Sequence, residues 1–245
     1  MEKLVVVMMC QNAEKFIGMC LDSVKDSDAI VVCDGGSTDK TLDIISDFHS
    51  RRTIDEGNDT TDLIKNKYDQ EDLAMNGKQR NFYLNYLKEN HLGDWCLVLD
   101  SDEILEDFGI QKIKQSIQGA IPMLLSPRIH HFIGDLGHED NTKDQHFAPN
   151  RLFCITNDLT YPEVEHPVLQ GKAQSGFVDV HIWHLRECLG IFETNKKWKS
   201  NMKKSNIHSE TQLRQWQRDM LFGTYPRKRV HYDQLPSTIR SNFEI

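Results

Sequence analysis

The chain has 245 residues, 38 % of them hydrophobic and 27 % charged, and carries a formal net charge of −8. It can bury a full core, but its acidic balance argues against nonspecific nucleic-acid binding over the whole surface. No apolar run approaches the roughly 18 residues that a membrane span needs, so the expectation is one soluble, cytoplasmic domain over 1–245, with peripheral docking on a membrane left open.

The six cysteines show no close paired spacing and read as small buried hydrophobes of a reducing compartment, not as a disulfide or zinc framework. Leu4 to Met9 is short, Val-rich and continuous, the pattern of a strand buried on both faces. The amino terminus lacks the length and the small-residue cleavage pattern of a signal peptide. Asn12 is placed to cap the following helix, in which Phe16, Ile17, Cys20, Leu21 and Val24 form one apolar stripe. A second buried strand, Ala29 to Cys33, ends in Asp34-Gly35-Gly36-Ser37-Thr38-Asp39. Strand, helix, strand and helix in this order imply a parallel sheet. The two glycines let the backbone turn sharply and approach a ligand, and the hydroxyls with Asp39 can cap a helix whose amino terminus favours anions. An ordinary glycine turn before a capped helix has the same letters. Leu42, Ile45 and Phe48 supply that helix's apolar face.

Residues 50 to 75 offer at most a short strand around Thr53 and Ile54, then an acidic polar stretch read as an inserted loop or short helix. A lid and a solvated charged loop both fit, the second being the commoner. Lys78 to Asn81 reads KQRN, where Arg80 taken alone is an exposed helix charge. Trp95 to Leu105 reads WCLVLDSDEIL, a buried strand running into Asp100, Ser101, Asp102 and Glu103. Carboxylates so close together repel one another and resist burial, which a cation among them relieves. All-oxygen ligands suit Mg²⁺ or Mn²⁺, and open α/β sheets bind ligands beyond the carboxyl ends of their strands. A polar turn that caps the next helix is the competing reading.

Taken in order, Asn12-x-Glu14, CLDSV, DGGSTDKT, KQRN, WCLVLDSDE and then PNRLFC at Pro149 to Cys154 resemble the family 2 glycosyltransferases of GT-A fold. The likeness is close over residues 1–105, apart from the insertion where the family has a third strand, and looser afterwards. It implies an α/β domain with a mixed, mostly parallel sheet flanked by helices: 1–105 for the nucleotide sugar, 106–190 for the acceptor, and a basic helical segment over 191–245. Asp34 would contact the base or ribose, with Asn12, Glu14 and Gly36 beside it. Arg80 and Asn81 would lie against the donor nucleotide. Asp100 and Asp102 would be the acidic pair, one on the ribose or sugar and the other on the Mn²⁺ or Mg²⁺ ion.

After Glu103, Ile110, Ile113 and Ile117 mark a helix, and Met123 to Ser126 and Arg128 to Ile133 mark two strands. Between Gly134 and Pro149 lie His138, Glu139, Asp140, Asp144 and His146; a second metal site can be imagined there, but the irregular spacing favours a polar loop. In Tyr161 to Gly171 the acceptor chemistry is expected, because an attacking hydroxyl must lose its proton to a carboxylate or imidazole. Glu165 leads, with His166 and Glu163 as alternatives and a salt-bridged loop as the bland one. Family members often carry His-Glu near this point, whereas here the order is Glu165-His166. Phe177 to Leu185 alternates as a strand with Val178, Val180, Ile182 and His184 on one face and His181 and Trp183 on the other, so the two histidines are not expected to share an ion. Many GT-A enzymes complete metal coordination with a downstream histidine, which points to His184, with His181 second.

Lys196, Lys197, Lys199, Lys203 and Lys204 form a basic run, either a solvated face or a grip on the donor diphosphate or an anionic acceptor. Ser209 and Gln212 make a capping-box pattern for a helix carrying Leu213, Trp216, Met220 and Leu221, stopped by Gly223 and Pro226. Trp198 and Trp216 are candidates for stacking on a sugar, and Trp216 equally for the core.

The resemblance thus implies inverting, metal-dependent transfer from a nucleoside diphosphate sugar to a hydroxyl of a glycan, lipid-linked sugar, protein, small metabolite or modified base. A sugar nucleotidyltransferase is the nearest competitor, but CQNAEKF lacks the glycine-rich, basic loop expected after its first strand. A noncatalytic nucleotide-sugar-binding module is the other, and the intact DSDE argues against it.

Overall fold

The computed structural model describes residues 1–56, 61–69, 72, 74–141, 147–185, 188, 210–221 and 225–243. The elements are β1 (Leu4–Cys10), α1 (Ile17–Ser23), β2 (Ala29–Asp34), α2 (Thr41–Glu56), β3 (Thr61–Lys65), α3 (Met75–Asn90), β4 (Trp95–Asp100), β5 (Glu103–Leu105), α4 (Gly109–Ile117), β6 (Met123–Ile133), β7 (Asp135–Asp140), β8 (Leu152–Cys154), β9 (Gln174–His184), α5 (Glu210–Leu221), β10 (Arg227–Arg229), a 3₁₀ turn at Tyr232–Gln234, and α6 (Ser237–Asn242). Lys196, Lys197, Lys199, Lys203, Lys204, Trp198, Ser209, Gly223, Asp144 and His146 lie outside the described residues, as do the side chains of Gln212, Leu213, Trp216 and Leu221.

The sheet runs β10-β7-β6-β8-β4-β1-β2-β3, with β9 joined to β6 and β5. Its long ladders, β1 with β2 and β4, β2 with β3, and β6 with β9, are parallel. The short ones, β8 with β4 and β6, β5 with β9, and β7 with β6 and β10, are antiparallel. The sheet is therefore mixed and mostly parallel, as expected.

The continuous apolar runs explain the central strands. Alternate residues of β1, β2 and β4 point to opposite faces, and each face is covered by helices, so no position is left for a polar side chain until the strand ends. Val6, Met8, Ile30 and Leu97 pack with Ile17 and Leu21 of α1, Ile45 and Phe48 of α2 and the three isoleucines of α4. Val5, Val7, Val31 and Val98 pack on the other face with Tyr83, Leu84 and Leu87 of α3 and with Leu159, Tyr161 and Leu169. Each such fully buried Val or Leu contributes about 1.5–3 kcal/mol. All six cysteines are free, and burial pushes the Cys33 and Cys188 thiols up to about 12, which suits inert packing groups. Among the described residues no helix is long and apolar enough to cross a membrane.

Three local expectations are corrected. Thr53 and Ile54 belong to α2, and the third strand is present farther on, at Thr61–Lys65, paired in parallel with β2. It is an edge strand, half exposed, and so lacks the apolar run that marks buried strands. Met123 to Ile133 is one strand, whose register against β9 shifts between Ser126 and Arg128, where Pro127 cannot donate to the ladder. Glu103 to Leu105, between the acidic turn and α4, is a strand of its own on β9.

Candidate active site

Asp34, Asp100 and His184 are the last residues of β2, β4 and β9. These strands run parallel through β1, and through β8 and β6, so all three side chains emerge at the same edge of the sheet. That edge is where open α/β sheets bind ligands.

The loops after β1 and β2 are laced together there. Asp34 is buried, and its carboxylate accepts from the Gly36 N–H (3.0 Å), the Ser37 N–H (3.1 Å) and the Ser37 hydroxyl. Ser37 in turn accepts the Asn12 N–H at 2.9 Å. Gly36 has φ +97°, and a Cβ on Gly35 would crowd Tyr68 at 2.8 Å, so this sharp turn needs both glycines. Asn12 does not cap α1, whose N-cap is Phe16 without a side-chain bond. Held at φ 52°, it accepts the Thr38 N–H at 2.8 Å across the gap, a tertiary contact no local pattern announces. Glu14 accepts the Lys40 N–H at 3.1 Å, and Asp39 accepts the Thr41 N–H at 3.0 Å at the start of α2. The Gly36, Ser37, Thr38, Lys40 and Thr41 N–H groups around this helix start are thus taken up by Asp34, Asn12, Glu14 and Asp39, which lock the double loop.

The acidic turn is neutralised chiefly by arginines. Arg80 of α3 reaches one Asp100 oxygen at 3.1 Å, and Arg151, just before β8, reaches the other at 3.0 Å and Glu103 at 3.2 Å. Glu103 is 1 % exposed and its second oxygen accepts the Asp100 N–H at 2.7 Å, closing the turn. Burial works to raise the Asp100 carboxyl, but Arg151 and then Arg80 outweigh it and hold it well below the usual carboxylate range. Burial pushes the Glu103 carboxyl up, against Arg151 and with Asp100 adding to it. Arg80 is therefore no exposed helix charge: it is buried, stands 5.7 Å over the Tyr161 ring, and its Nε has no hydrogen-bond partner among the described residues. Asn81 of the same helix holds the Tyr161 backbone by its N–H and its carbonyl, each at 2.8 Å.

Asp102 points elsewhere. Its Oδ1 lies 3.3 Å from His184 Nε2, and His184 Nδ1 lies 3.0 Å from His131 Nδ1. His181 is on the opposite face of β9, with Nδ1 2.7 Å from His130 Nε2, and His130 Nδ1 bonds Glu139. His138 bonds Asp135 and Asp140 accepts from Tyr225, so the described members of the imagined second metal cluster, His138, Glu139 and Asp140, do not converge on one point, while Asp144 and His146 lie outside the described residues. Among the described residues no group of three His, Cys, Asp or Glu side chains could by itself hold a metal ion. Asp102 with His184 supplies one carboxylate oxygen and one imidazole nitrogen, a set that fits Mn²⁺ or Mg²⁺ when substrate phosphates complete the shell.

With this geometry in place, residues 5–120 match the family model for Glycosyl transferase family 2. That match covers a little under half of the chain. Solved structures similar to the chain include TarS of S. aureus, with 17 % identity over 86 % of this chain and 41 % of that one and a TM-score of 0.49. A mannosyltransferase of Pyrobaculum calidifontis solved with GDP-Man and Mn²⁺ has 16 % identity over 52 % and 35 % and a TM-score of 0.39. A 4-diphosphocytidyl-2C-methyl-D-erythritol synthase has 14 % identity over 63 % and 75 % and a TM-score of 0.42. The chain spans less than half the length of the first two. No curated protein matches the sequence.

The family 2 segment ends before the stretch expected to hold the acceptor base. That stretch packs on the amino end of α3: Asn76 donates to the Glu165 carbonyl, and a Cβ on Gly77 would collide with the Pro162 carbonyl. Glu163 and His166 are exposed and Glu165 is half-buried. Burial, with the Glu165 charge adding to it, pushes the Tyr68 phenol up. A cavity of about 730 Å³ between α1, α2, α4 and α6 includes none of the expected site residues. Beyond the family 2 segment, Arg151 and His131 were not singled out by sequence. Arg151 sits inside PNRLFC, and His131 follows His130 on a strand; neither letter shows which face or partner it meets.

Proposed function

We propose that the chain is a nucleotide-sugar-dependent glycosyltransferase, one domain over 1–245, acting by metal-assisted in-line displacement that inverts the anomeric centre. The observation that carries this is Asp102 and His184, 3.3 Å apart, beside the arginine-compensated Asp100 at the strand ends. The family match over residues 5–120 supports it.

The glycine turn and the start of α2 would take the nucleotide, with Asp34 keeping Gly36 and Ser37 in place as well as offering a lone pair to the base or ribose. Arg80 and Arg151 hold Asp100 ionised, so that its partly exposed carboxylate can accept a hydroxyl of the ribose or sugar. Asp102 and His184 would hold Mn²⁺ or Mg²⁺. Bound there, the ion supplies neutralisation of the charge that grows on the departing diphosphate. Glu165 is the choice for general base, with Glu163 and His166 behind it, because it alone of the three is half-buried, and its backbone is held at the start of α3 by Asn76. The acceptor is a hydroxyl compound whose class the loops do not specify.

The test is transfer and hydrolysis with a panel of nucleoside diphosphate sugars under Mn²⁺, Mg²⁺ and EDTA. Metal-dependent release of nucleoside diphosphate supports the proposal. Release of inorganic diphosphate from a nucleoside triphosphate instead overturns it in favour of a sugar nucleotidyltransferase. Nucleotide binding without turnover of any donor overturns it in favour of a binding module.

A further inference from the structure

We infer that Asn76 and Asn81 are positioning residues that brace the candidate base Glu165 against the donor half of the molecule, and that Asn81 serves the acceptor side instead of touching the nucleotide. The inference rests on the glycosyltransferase reading and on the choice of Glu165 proposed above.

On α3, Asn76, Gly77, Arg80 and Asn81 are spaced i, i+1, i+4 and i+5 and so share one face. The stretch from Tyr161 to Glu165 lies along that face in the opposite direction. At one end the Asn81 amide is taken by the Tyr161 backbone alone: its N–H donates to the Tyr161 carbonyl and its oxygen accepts the Tyr161 N–H, each at 2.8 Å. One turn back, a Cβ on Gly77 would come within 2.7 Å of the Glu163 Cα. At the other end Asn76 donates to the Glu165 carbonyl, and its oxygen accepts the Tyr68 hydroxyl at 2.7 Å. Each amide thus works through its oxygen and its nitrogen on protein partners, the arrangement of a brace between two segments.

The helix is itself fixed to the donor loops. The Tyr68 N–H donates to the Gly35 carbonyl at 2.9 Å, so hydrogen bonds run from the glycine turn through Tyr68 and Asn76 to Glu165. Gln79 pairs with Asn66 in the same two-way fashion, at 2.7 and 2.9 Å, and the Asn66 N–H donates to the Asp34 carbonyl at 3.0 Å. Arg80, between the two asparagines, reaches Asp100 at 3.1 Å and stands 5.7 Å over the Tyr161 ring. One helix face therefore joins the residues proposed for the donor to the residue proposed to deprotonate the acceptor. A base must lie within hydrogen-bond reach of the proton it removes, and a misplacement of about 1 Å can cost about 10²-fold in rate.

The experiment measures donor turnover by the whole chain with Mn²⁺, binding of UDP and GDP by calorimetry, and thermal unfolding, for Asn76→Ala, Asn81→Ala and Tyr68→Phe, each alone and combined with Glu165→Gln. Asn76→Ala and Asn81→Ala are expected to lower kcat about 10–100-fold, with donor KM and nucleoside diphosphate affinity within about threefold of the unaltered protein. Tyr68→Phe, which removes one hydroxyl and keeps the ring, should lower kcat about three- to tenfold. On the Glu165→Gln background the same changes should cost little more, because they act through Glu165. A folded Asn81→Ala that loses nucleotide affinity overturns the inference by assigning that side chain to the nucleotide. Losses that add to that of Glu165→Gln, or an unchanged kcat with only a lower unfolding temperature, overturn it as well. Should Asn81→Ala fail to fold, the milder Tyr68→Phe pair with Glu165→Gln decides in the same way. If Glu165→Gln turns over the donor as fast as the unaltered protein, the choice of base falls and takes the inference with it, while the donor site stands. If the unaltered protein turns over no donor, the glycosyltransferase reading itself falls.

Discussion

Two chains of carboxylate, imidazole and imidazole stand on the same pair of strands. One runs Glu139, His130, His181 and the other Asp102, His184, His131. They lie on opposite faces because His130 and His131 are neighbours on β6 and successive strand residues alternate. The first is closed at every link: His130 stacks on Trp183 at 4.1 Å, and His181 Nε2 sits 3.6 Å from Asp179. The second ends on the acidic turn, at the strand ends beside the glycine loop. Like chemical groups thus line a cavity beside Trp183 on one face and stand at a candidate site on the other, and the difference is position relative to the carboxyl ends of the strands.

The sharpest way to break that contrast is to disable one chain at a time. Asp102→Asn is expected to lower transfer by about 10²–10³-fold with little change in unfolding temperature. Glu139→Gln is expected to leave turnover within about threefold, a near-uniform-binding change rather than a lost transition-state contact. Steady-state kinetics on both variants decide it, and equal losses would erase the distinction.

Next in size is the support beneath the second chain. Arg151→Met leaves the buried Glu103 beside Asp100 without its guanidinium, and stability should drop by about 3 kcal/mol in urea unfolding. Arg151→Lys, a point charge that cannot reach both carboxylates in the same fork, should recover only part. Full stability in Arg151→Met would mean that the turn is held by something other than this pair.

The first chain should carry a pH signature. Burial, with His130 beside it, holds His181 below its ordinary value. The unfolded chain then binds the proton first as pH falls through roughly 6.5, so this contribution to stability is complete above that value and is lost as pH falls through the lower folded value. The slope is at most about 1.4 kcal/mol per pH unit. Urea unfolding of His181→Gln between about pH 7 and pH 5 should be flatter than that of the unaltered protein. An unchanged slope would place the titration on another group.

The smallest expected effect lies in the donor loops. Asn12→Ala removes the acceptor for the Thr38 N–H, and about 1 kcal/mol of stability should go with it. A loss near zero in thermal unfolding would show that water replaces the bond.

The central strands, the helices that cover them and the glycine and acidic turns follow from short-range letters. Val-rich runs can be buried on both faces and little else can be, and two adjacent glycines permit the turn that Asp34 braces. β3 was not visible in this way, because an edge strand needs only half an apolar face. The crowded carboxylates of the DSDE turn suggest a bound Mg²⁺ or Mn²⁺ ion, yet the positive charge beside Asp100 and Glu103 is that of Arg80 and Arg151, brought from α3 and from the loop before β8. Which carboxylate meets an arginine and which meets a histidine, and which of four histidines that is, are settled by strand register and by side chains distant in sequence. Local composition specifies what each segment can bury, whereas the partner of each buried charge is chosen only when the segments meet.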